Sequence, residues 1–173
     1  TEKDIQNSGL EWSIGRNGIY IEPDLEYIET YLKDGEIRNC AGSGKCTYTC
    51  REELGYAYTK MLIDEKHSGK LYNLVGEPIS QSQLADYINK IYKTNLVYNS
   101  VSVEAYATER KEELGDFIGT VIAGIYEGIR NGANDIPSDF EKAAGRPHTS
   151  AIEIIKAFKE KSNIGSETHL TKN

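Results

Sequence analysis

Apolar residues recur along this chain in two rhythms, alternating over short runs and spaced by three or four over longer ones, which predicts strands and helices in turn. Thr1 to Gly9 reads as the end of a helix closed by Gly9. Trp12-Ser13-Ile14 alternates as a strand and leads into a loop, Arg16 to Pro23, whose Asn17-Gly18 pair marks a turn. From Asp24 to Lys33, Leu25, Ile28 and Leu32 fall at helical spacing, with Asp24 as the expected N-cap and Gly35 just past the end. Glu36 to Thr49 is strand-rich around Ala41-Gly42-Ser43-Gly44. Arg51 then opens a helix with Leu54, Tyr58, Met61 and Leu62 expected on one face.

Lys70 to Val75 reads as a strand. Ser80 and Gln83 form a capping-box pattern ahead of a helix with Leu84, Ile88 and Ile91 on its apolar face. A strand over Leu96 to Val101 precedes two helices, Glu104 to Leu114 and Phe117 to Arg130. The second carries Ile118, Val121, Ile122, Ile125 and Ile129 along one expected buried side, and Gly115, Gly119, Gly124 and Gly128 as points of close helix approach. Ser150 and Glu153 suggest a second capping box, opening a last helix with Ala151, Ile155 and Phe158 inward. Residues 162–173 are polar and aperiodic and read as a disordered tail.

Strands alternating with helices predict an α/β fold. A length of 173 residues and a hydrophobic share of 38% suit one compact domain, 1–161, rather than two. The abrupt opening, a helix end with no lead-in, is expected of a cut through a larger protein. No stretch approaches the roughly 20 apolar residues of a membrane span, and no secretory pattern opens the chain, so a cytoplasmic setting is expected. A net charge of −7, with the basic residues scattered, argues against nucleic acid and anionic membrane as partners.

Several patterns imitate chemistry. Gly42-Ser43-Gly44-Lys45 fails as a phosphate loop, because Cys46 follows the lysine and the next stretch favours strand over helix. Tyr56 and Lys60 share the spacing of a phenol–ammonium catalytic pair, but with twelve tyrosines in the chain the match reads as a ring packed on a lysine stem. Cys40, Cys46 and Cys50 lack a nearby histidine and are odd in number, so they are expected to be reduced and structural, and no metal site is expected. His67 and His148 stand in polar, turn-like contexts, and no serine has the setting of a hydrolase nucleophile. What remains is Arg16 to Glu22, where a strand passes directly into a glycine-containing loop, the place where ligands bind in open α/β sheets.

Thr1-Glu2-Lys3, Ser8-Gly9-Leu10, Trp12-Ser13-Ile14, Arg16-Asn17-Gly18 and Tyr20-x-Glu22 together resemble the late part of NmrA-like, atypical short-chain dehydrogenases of the NAD(P)H:quinone oxidoreductase kind. Ala41-Gly42-x-Gly44-Lys45, Thr49-x-Arg51-Glu52-Glu53-Leu54, Gly69-Lys70-x-Tyr72-x-Leu74-x-Gly76, Gln83-Leu84-Ala85 and Gly145-Arg146-Pro147-His148-Thr149 continue in family order. The resemblance implies the C-terminal part of a Rossmann-like, NmrA-type fold: late parallel strands plus a smaller α+β lobe on the substrate side, roughly residues 81–158. It implies an N-terminal Rossmann half as well, which carries most of the dinucleotide site; no Gly-x-Gly-x-x-Gly occurs in this chain.

In the family the loop after this strand closes over the nicotinamide end of NADP or NAD, which carries over to Asn17, Gly18, Tyr20 and Glu22, with Tyr20 lining a quinone pocket. Arg51 matches an arginine near the same cleft. Gly15 stands where the family has an apolar residue, and Pro23 where asparagine is usual. The implied activity is hydride transfer from NAD(P)H to a quinone or similar small acceptor, with no catalytic acid assigned. The alternatives are a non-catalytic NAD(P)-sensing regulator of the same fold and a nucleotide-sugar epimerase-like protein. This part alone is expected to be inactive and, with a sheet edge uncovered, to self-associate.

Overall fold

Two parallel strands lie side by side in this molecule, and the chain leaves the carboxyl end of the first to build two further small sheets. In the computed structural model, β1 (Ser13–Asn17) pairs in parallel with β5 (Lys70–Leu74), Ser13 opposite Lys70 and Asn17 opposite Leu74. A short β2 (Ile19–Tyr20) leaves that sheet and pairs in parallel with β4 (Lys45–Thr49), which is joined on its other side by the antiparallel β6 (Pro78–Ser80). A third small sheet pairs β3 (Glu36–Asn39) in parallel with β7 (Val97–Ser100). The helices are α1 (Glu2–Gln6), α2 (Glu22–Glu26), α3 (Ile28–Asp34), α4 (Arg51–Ile63), α5 (Gln81–Tyr92), α6 (Val103–Leu114), α7 (Asp116–Arg130), α8 (Phe140–Ala144) and α9 (Ala151–Thr168). The backbone of residues 1–168 and the side chains of residues 1–162 are described; α9 continues to Thr168, so of the tail expected over 162–173 the first seven residues are helical in backbone and 169–173 lie outside the described residues.

The fold is α/β, as the alternation of patterns predicts, with mostly parallel pairing, as the family resemblance implies. The larger core joins Ile21, Leu25, Ile28, Ile37, Tyr48, Leu84, Ile88 and Ile155, drawn from α2, α3, β3, β4, α5 and α9 and the residue between β2 and α2. A second cluster, Leu54, Ala57, Met61, Tyr72, Leu74 and Phe140, seats α4 and α8 against β5. Ser80 caps α5 as its sequence suggests: its hydroxyl accepts from the Gln83 N–H at 3.2 Å, and Gln83 Oε1 accepts the Ser80 N–H at 2.9 Å. Such a box contributes about 1 kcal/mol. At Ser150 the Glu153 carboxylate accepts from both the backbone N–H and the hydroxyl.

Four local expectations are corrected. The expected Asp24–Lys33 helix is two short ones, and Asp24 is not a cap but a buried residue inside α2, whose N-cap is Ile21. Gly35 does end α3, in the left-handed conformation at φ +74°. Leu62 is 85% exposed, because α4 buries Leu54, Ala57 and Met61 and turns Leu62 away from that face. On α7 only part of the expected stripe is buried: Ile129 is buried and Ile122 packs against Tyr106 and Ala123, but Ile118, Val121 and Ile125 are exposed, and Gly119 and Ala123 face inward instead. The reason is Gly119, where a Cβ would lie 2.5 Å from the Lys111 nitrogen, so α6 and α7 meet backbone to backbone. Gly124 meets nothing within 4 Å.

Both histidines in question are also more enclosed than turn-like surroundings suggest. His67 is 1% exposed and its Nδ1 lies 2.8 Å from the Tyr72 hydroxyl. His148 is half-buried, between Thr49 and the Thr149 carbonyl.

Candidate functional site

Gly18 fixes the path by which the chain leaves the β1–β5 sheet. A Cβ there would stand 2.5 Å from the Thr47 carbonyl oxygen and 2.9 Å from Val75 Cγ1, so only glycine passes between β4 and the end of β5. The turn therefore places Asn17 and Tyr20 together. The Asn17 amide donates to the Tyr20 hydroxyl at 3.2 Å, and its carbonyl oxygen accepts from Tyr58 of α4 at 2.7 Å. Tyr58 also approaches the Gly15 carbonyl at 3.1 Å. Gly15 makes this possible: a Cβ on it would lie 2.7 Å from the Tyr58 hydroxyl and 2.6 Å from Leu74 Cδ1. Burial raises the Tyr58 phenol above its ordinary range, so it stays protonated and able to donate at neutral pH. With its oxygen side engaged by Tyr58, Asn17 keeps its amide hydrogens on the Tyr20 side, the two side chains together presenting polar groups to solvent.

Glu22 and Arg51 meet differently from the way their family positions suggest. Glu22 Oε1 accepts the backbone N–H of Arg51 at 2.7 Å, capping the start of α4, and its other oxygen is buried without a partner. The Arg51 guanidinium lies toward Glu26 at 3.6 Å, with both side chains well exposed. The structure thus joins Asn17 with Tyr20 and Glu22 with Arg51, and it leaves the Arg51 charge on the surface, outside both polar clusters.

Two clusters were not singled out from the sequence. In the first, Asp24 is buried and its carboxylate accepts from the hydroxyls of Tyr31 at 2.8 Å, Tyr48 at 2.9 Å and Tyr126 at 3.1 Å. Gln81 donates to Tyr48, and Asn39 to Gln81, each at 2.9 Å. Burial raises the Asp24 pKa while the three phenol bonds oppose that rise. In the second, Glu53, also buried, holds Arg146 through two bonds of 2.8 Å and accepts from the Thr149 N–H and hydroxyl. Burial alone would raise the Glu53 pKa, but Arg146 and Thr149 together outweigh it and hold the carboxyl below its ordinary range. This explains the Gly145-to-Thr149 segment as a latch tying the start of α9 to α4.

Lys45 begins a strand, not a helix, and Gly44 abuts the Ile129 carbonyl. The Tyr56 ring lies under the Arg146 guanidinium at 4.3 Å and near the Lys60 ammonium at 5.5 Å. All three cysteines are free and buried, and among the described residues no group of histidine, cysteine and carboxylate side chains could hold a metal.

These features define the class: an α/β protein with the NmrA-type, Rossmann-like fold. No protein-family model matches the chain. Its homologues include quinone oxidoreductase 2 of Escherichia coli, 28% identical over 158 residues, which cover 90% of this chain and 55% of that protein. The structure of Citrobacter sp. triphenylmethane reductase complexed with NADP(H) superposes with a TM-score of 0.83 at 27% identity, over 91% of this chain and 56% of that one. NmrA, a negative transcriptional regulator solved in complex with NAD, shares the fold at a TM-score of 0.64 and 15% identity, over 94% and 57% of the two chains. The chain spans about half the length of the curated relatives it matches.

Proposed function

We propose that this chain supplies the nicotinamide-facing loop and the acceptor side of an NAD(P)H-dependent oxidoreductase that passes hydride to a quinone or similar small acceptor. The observation that carries this reading is the β1–β2 junction. There a parallel strand ends in Asn17 and Gly18 and sets an amide and a phenol side by side, the position and donor set suited to a nicotinamide carboxamide. The relatives support it, one a quinone oxidoreductase and the other a reductase complexed with NADP(H).

When bound, the cofactor supplies the hydride, and the protein's part is orientation. Asn17, held by Tyr58, and Tyr20 orient the nicotinamide; Gly18 keeps the loop on its path; Glu22 fixes the loop's far end to α4. A quinone that takes up hydride takes its proton from solvent, so no side-chain acid is required. Residues 81–158 would form the substrate-side lobe. Arg51, surface-exposed and facing Glu26, is proposed to contribute to cofactor binding only through its backbone contact with Glu22. A cytoplasmic setting is proposed with this activity; among the described residues no helix is long and apolar enough to cross a membrane.

The test is NADPH oxidation by the full-length protein with menadione as acceptor, beside its Asn17→Ala and Tyr20→Phe variants. Turnover that falls about tenfold or more in Asn17→Ala, the scale of losing a positioning contact, supports the reading. Cofactor binding without turnover of any quinone would favour the sensing regulator instead.

A further inference from the structure

One face of α7 carries apolar side chains that the described residues leave uncovered. Phe117 is 81% exposed, and Leu114, Ile118, Val121 and Ile125 lie between 36% and 53%. At about 100° per residue, Gly124, Phe117, Gly128, Val121, Ile125 and Ile118 follow one another around about a third of the helix, with no polar residue among them. The five large side chains expose on the order of 500 Å² of apolar surface, as much as the largest patch on an ordinary monomer, which is commonly an interaction site.

The glycines on this face have no reason within the chain. Gly119, on the opposite side of the helix, is required by the α6 backbone, but Gly124 has nothing within 4 Å, and a Cβ on Gly128 would meet only Ala133 and Asn134, at 3.9 Å. Each weakens the helix relative to alanine, and what each permits is the close approach of another backbone. The order of large and missing side chains points to the occupant. Two copies of α7 laid antiparallel, about a twofold axis midway between Ile122 and Ala123, set Val121 opposite Gly124 and Phe117 opposite Gly128, and both pairings recur with the copies exchanged. A side chain of one copy thus fills the place left on the other. The arrangement also holds the acidic ends of the two helices apart, each with Glu112, Glu113 and Asp116. The remaining length of the relatives is a poorer occupant, since it would join the sheet at the open edge of β1. The chain leaving α7 runs along the other edge, where the Asp139 N–H donates to the Asn73 carbonyl of β5 at 2.9 Å.

We propose that the exposed face of α7 is the interface of a homodimer, in which two α7 helices pack antiparallel at Val121 and Gly124. Two such faces bury on the order of 1000 Å², the lower limit for a specific interface, so the dimer is weak and reversible, with a dissociation constant on the order of micromolar. This interface is separate from the open edge of β1, and it does not rest on the oxidoreductase reading.

The experiment is sedimentation velocity of the full-length protein from about 0.1 to 100 μM, with methyl NMR at the two ends of that range. A monomer–dimer equilibrium is expected, in which the methyl signals of Ile118, Val121 and Ile125 shift as the dimer forms and those of the buried Ile21, Ile37 and Ile155 stay in place. Val121→Glu changes an exposed position, so the fold should persist while association weakens about tenfold or more, because the new carboxylate would be buried at the interface. Gly124→Ala gives the sharper sign. It should strengthen the helix in the monomer, read by unfolding at concentrations where no dimer forms, and weaken the dimer about tenfold as its methyl meets the partner's Val121. A monomer throughout the range would leave the face to the rest of the protein or to another partner and would overturn the proposal. So would a dimer that either variant leaves unchanged, or methyl shifts confined to other residues.

Discussion

Single residues at the β1–β2 junction do jobs that their neighbours in sequence do not reveal. Gly18 is legible as a turn glycine beside Asn17, but its reason lies across space, in the Thr47 carbonyl and the Val75 side chain. Gly18→Ala is therefore expected to destabilise the fold by about 1–3 kcal/mol, the range for forcing a methyl group into filled space, as read by urea unfolding. Gly15 is the same kind of case. It departs from the family pattern, and in the structure it makes room for the Tyr58 hydroxyl that holds Asn17.

Asp24 was misread as a cap because an acidic residue ahead of an apolar periodic run is the usual sign of a helix start. The three tyrosines that bury it come from α3, β4 and α7, and no local pattern links them. The Glu53–Arg146 pair was likewise hidden by 93 residues of separation. Removing the Arg146 side chain leaves Glu53 buried and unmatched, so Arg146→Ala should cost on the order of 3 kcal/mol.

His148 gives this region a pH dependence. Its Nδ1 faces the Thr149 carbonyl at 2.7 Å and so carries the proton, leaving Nε2 to accept from Thr49 at 3.0 Å. Burial lowers its pKa, so the unfolded chain binds a proton more readily than the folded one. Stability from this group is present above the ordinary imidazole range and is lost as the pH falls through it toward the depressed value. Glu53, also depressed, loses its share at lower pH still. Melting temperatures at pH 7.5 and 5.5 should fall toward the acid side, and His148→Gln should flatten that fall; an unchanged slope would remove His148 from the explanation.

At the level of elements, type and order were readable and faces were less so. Capping chemistry is local, which is why α5 starts at Gln81 as its Ser80 and Gln83 indicate. Which side of α7 is buried depends on how near α6 can come, and that is set by Gly119 rather than by the isoleucines. Two substitutions on one helix separate these effects. Gly119→Ala is expected to lower stability, since its methyl would meet the α6 backbone. Gly124→Ala, with nothing within 4 Å, should raise stability by about 0.5–1 kcal/mol through helix propensity alone. Thermal unfolding of the two single variants decides it: equal effects would mean that α6 and α7 do not touch at Gly119.

Across the whole molecule, the α/β class follows from the alternating patterns and the parallel strands from the family resemblance, whereas the splitting into three small sheets does not, because pairing across 29 to 61 residues leaves no mark on either strand. Among the described residues β1 pairs only with β5, and its residues are half-buried or exposed where parallel strands are ordinarily covered on both faces. This chain by itself is expected to self-associate through that open edge, and analytical ultracentrifugation showing a monodisperse monomer would contradict it.

The most direct measurement is a calorimetric titration of NADPH into the full-length protein, into its Asn17→Ala variant, and into this 173-residue chain alone. Binding by the full-length protein, about tenfold weaker in the variant and not detected with the chain alone, is the expected result. Tight binding by this chain alone, or full-length binding indifferent to Asn17, would mean that the nicotinamide does not lie at the β1–β2 junction.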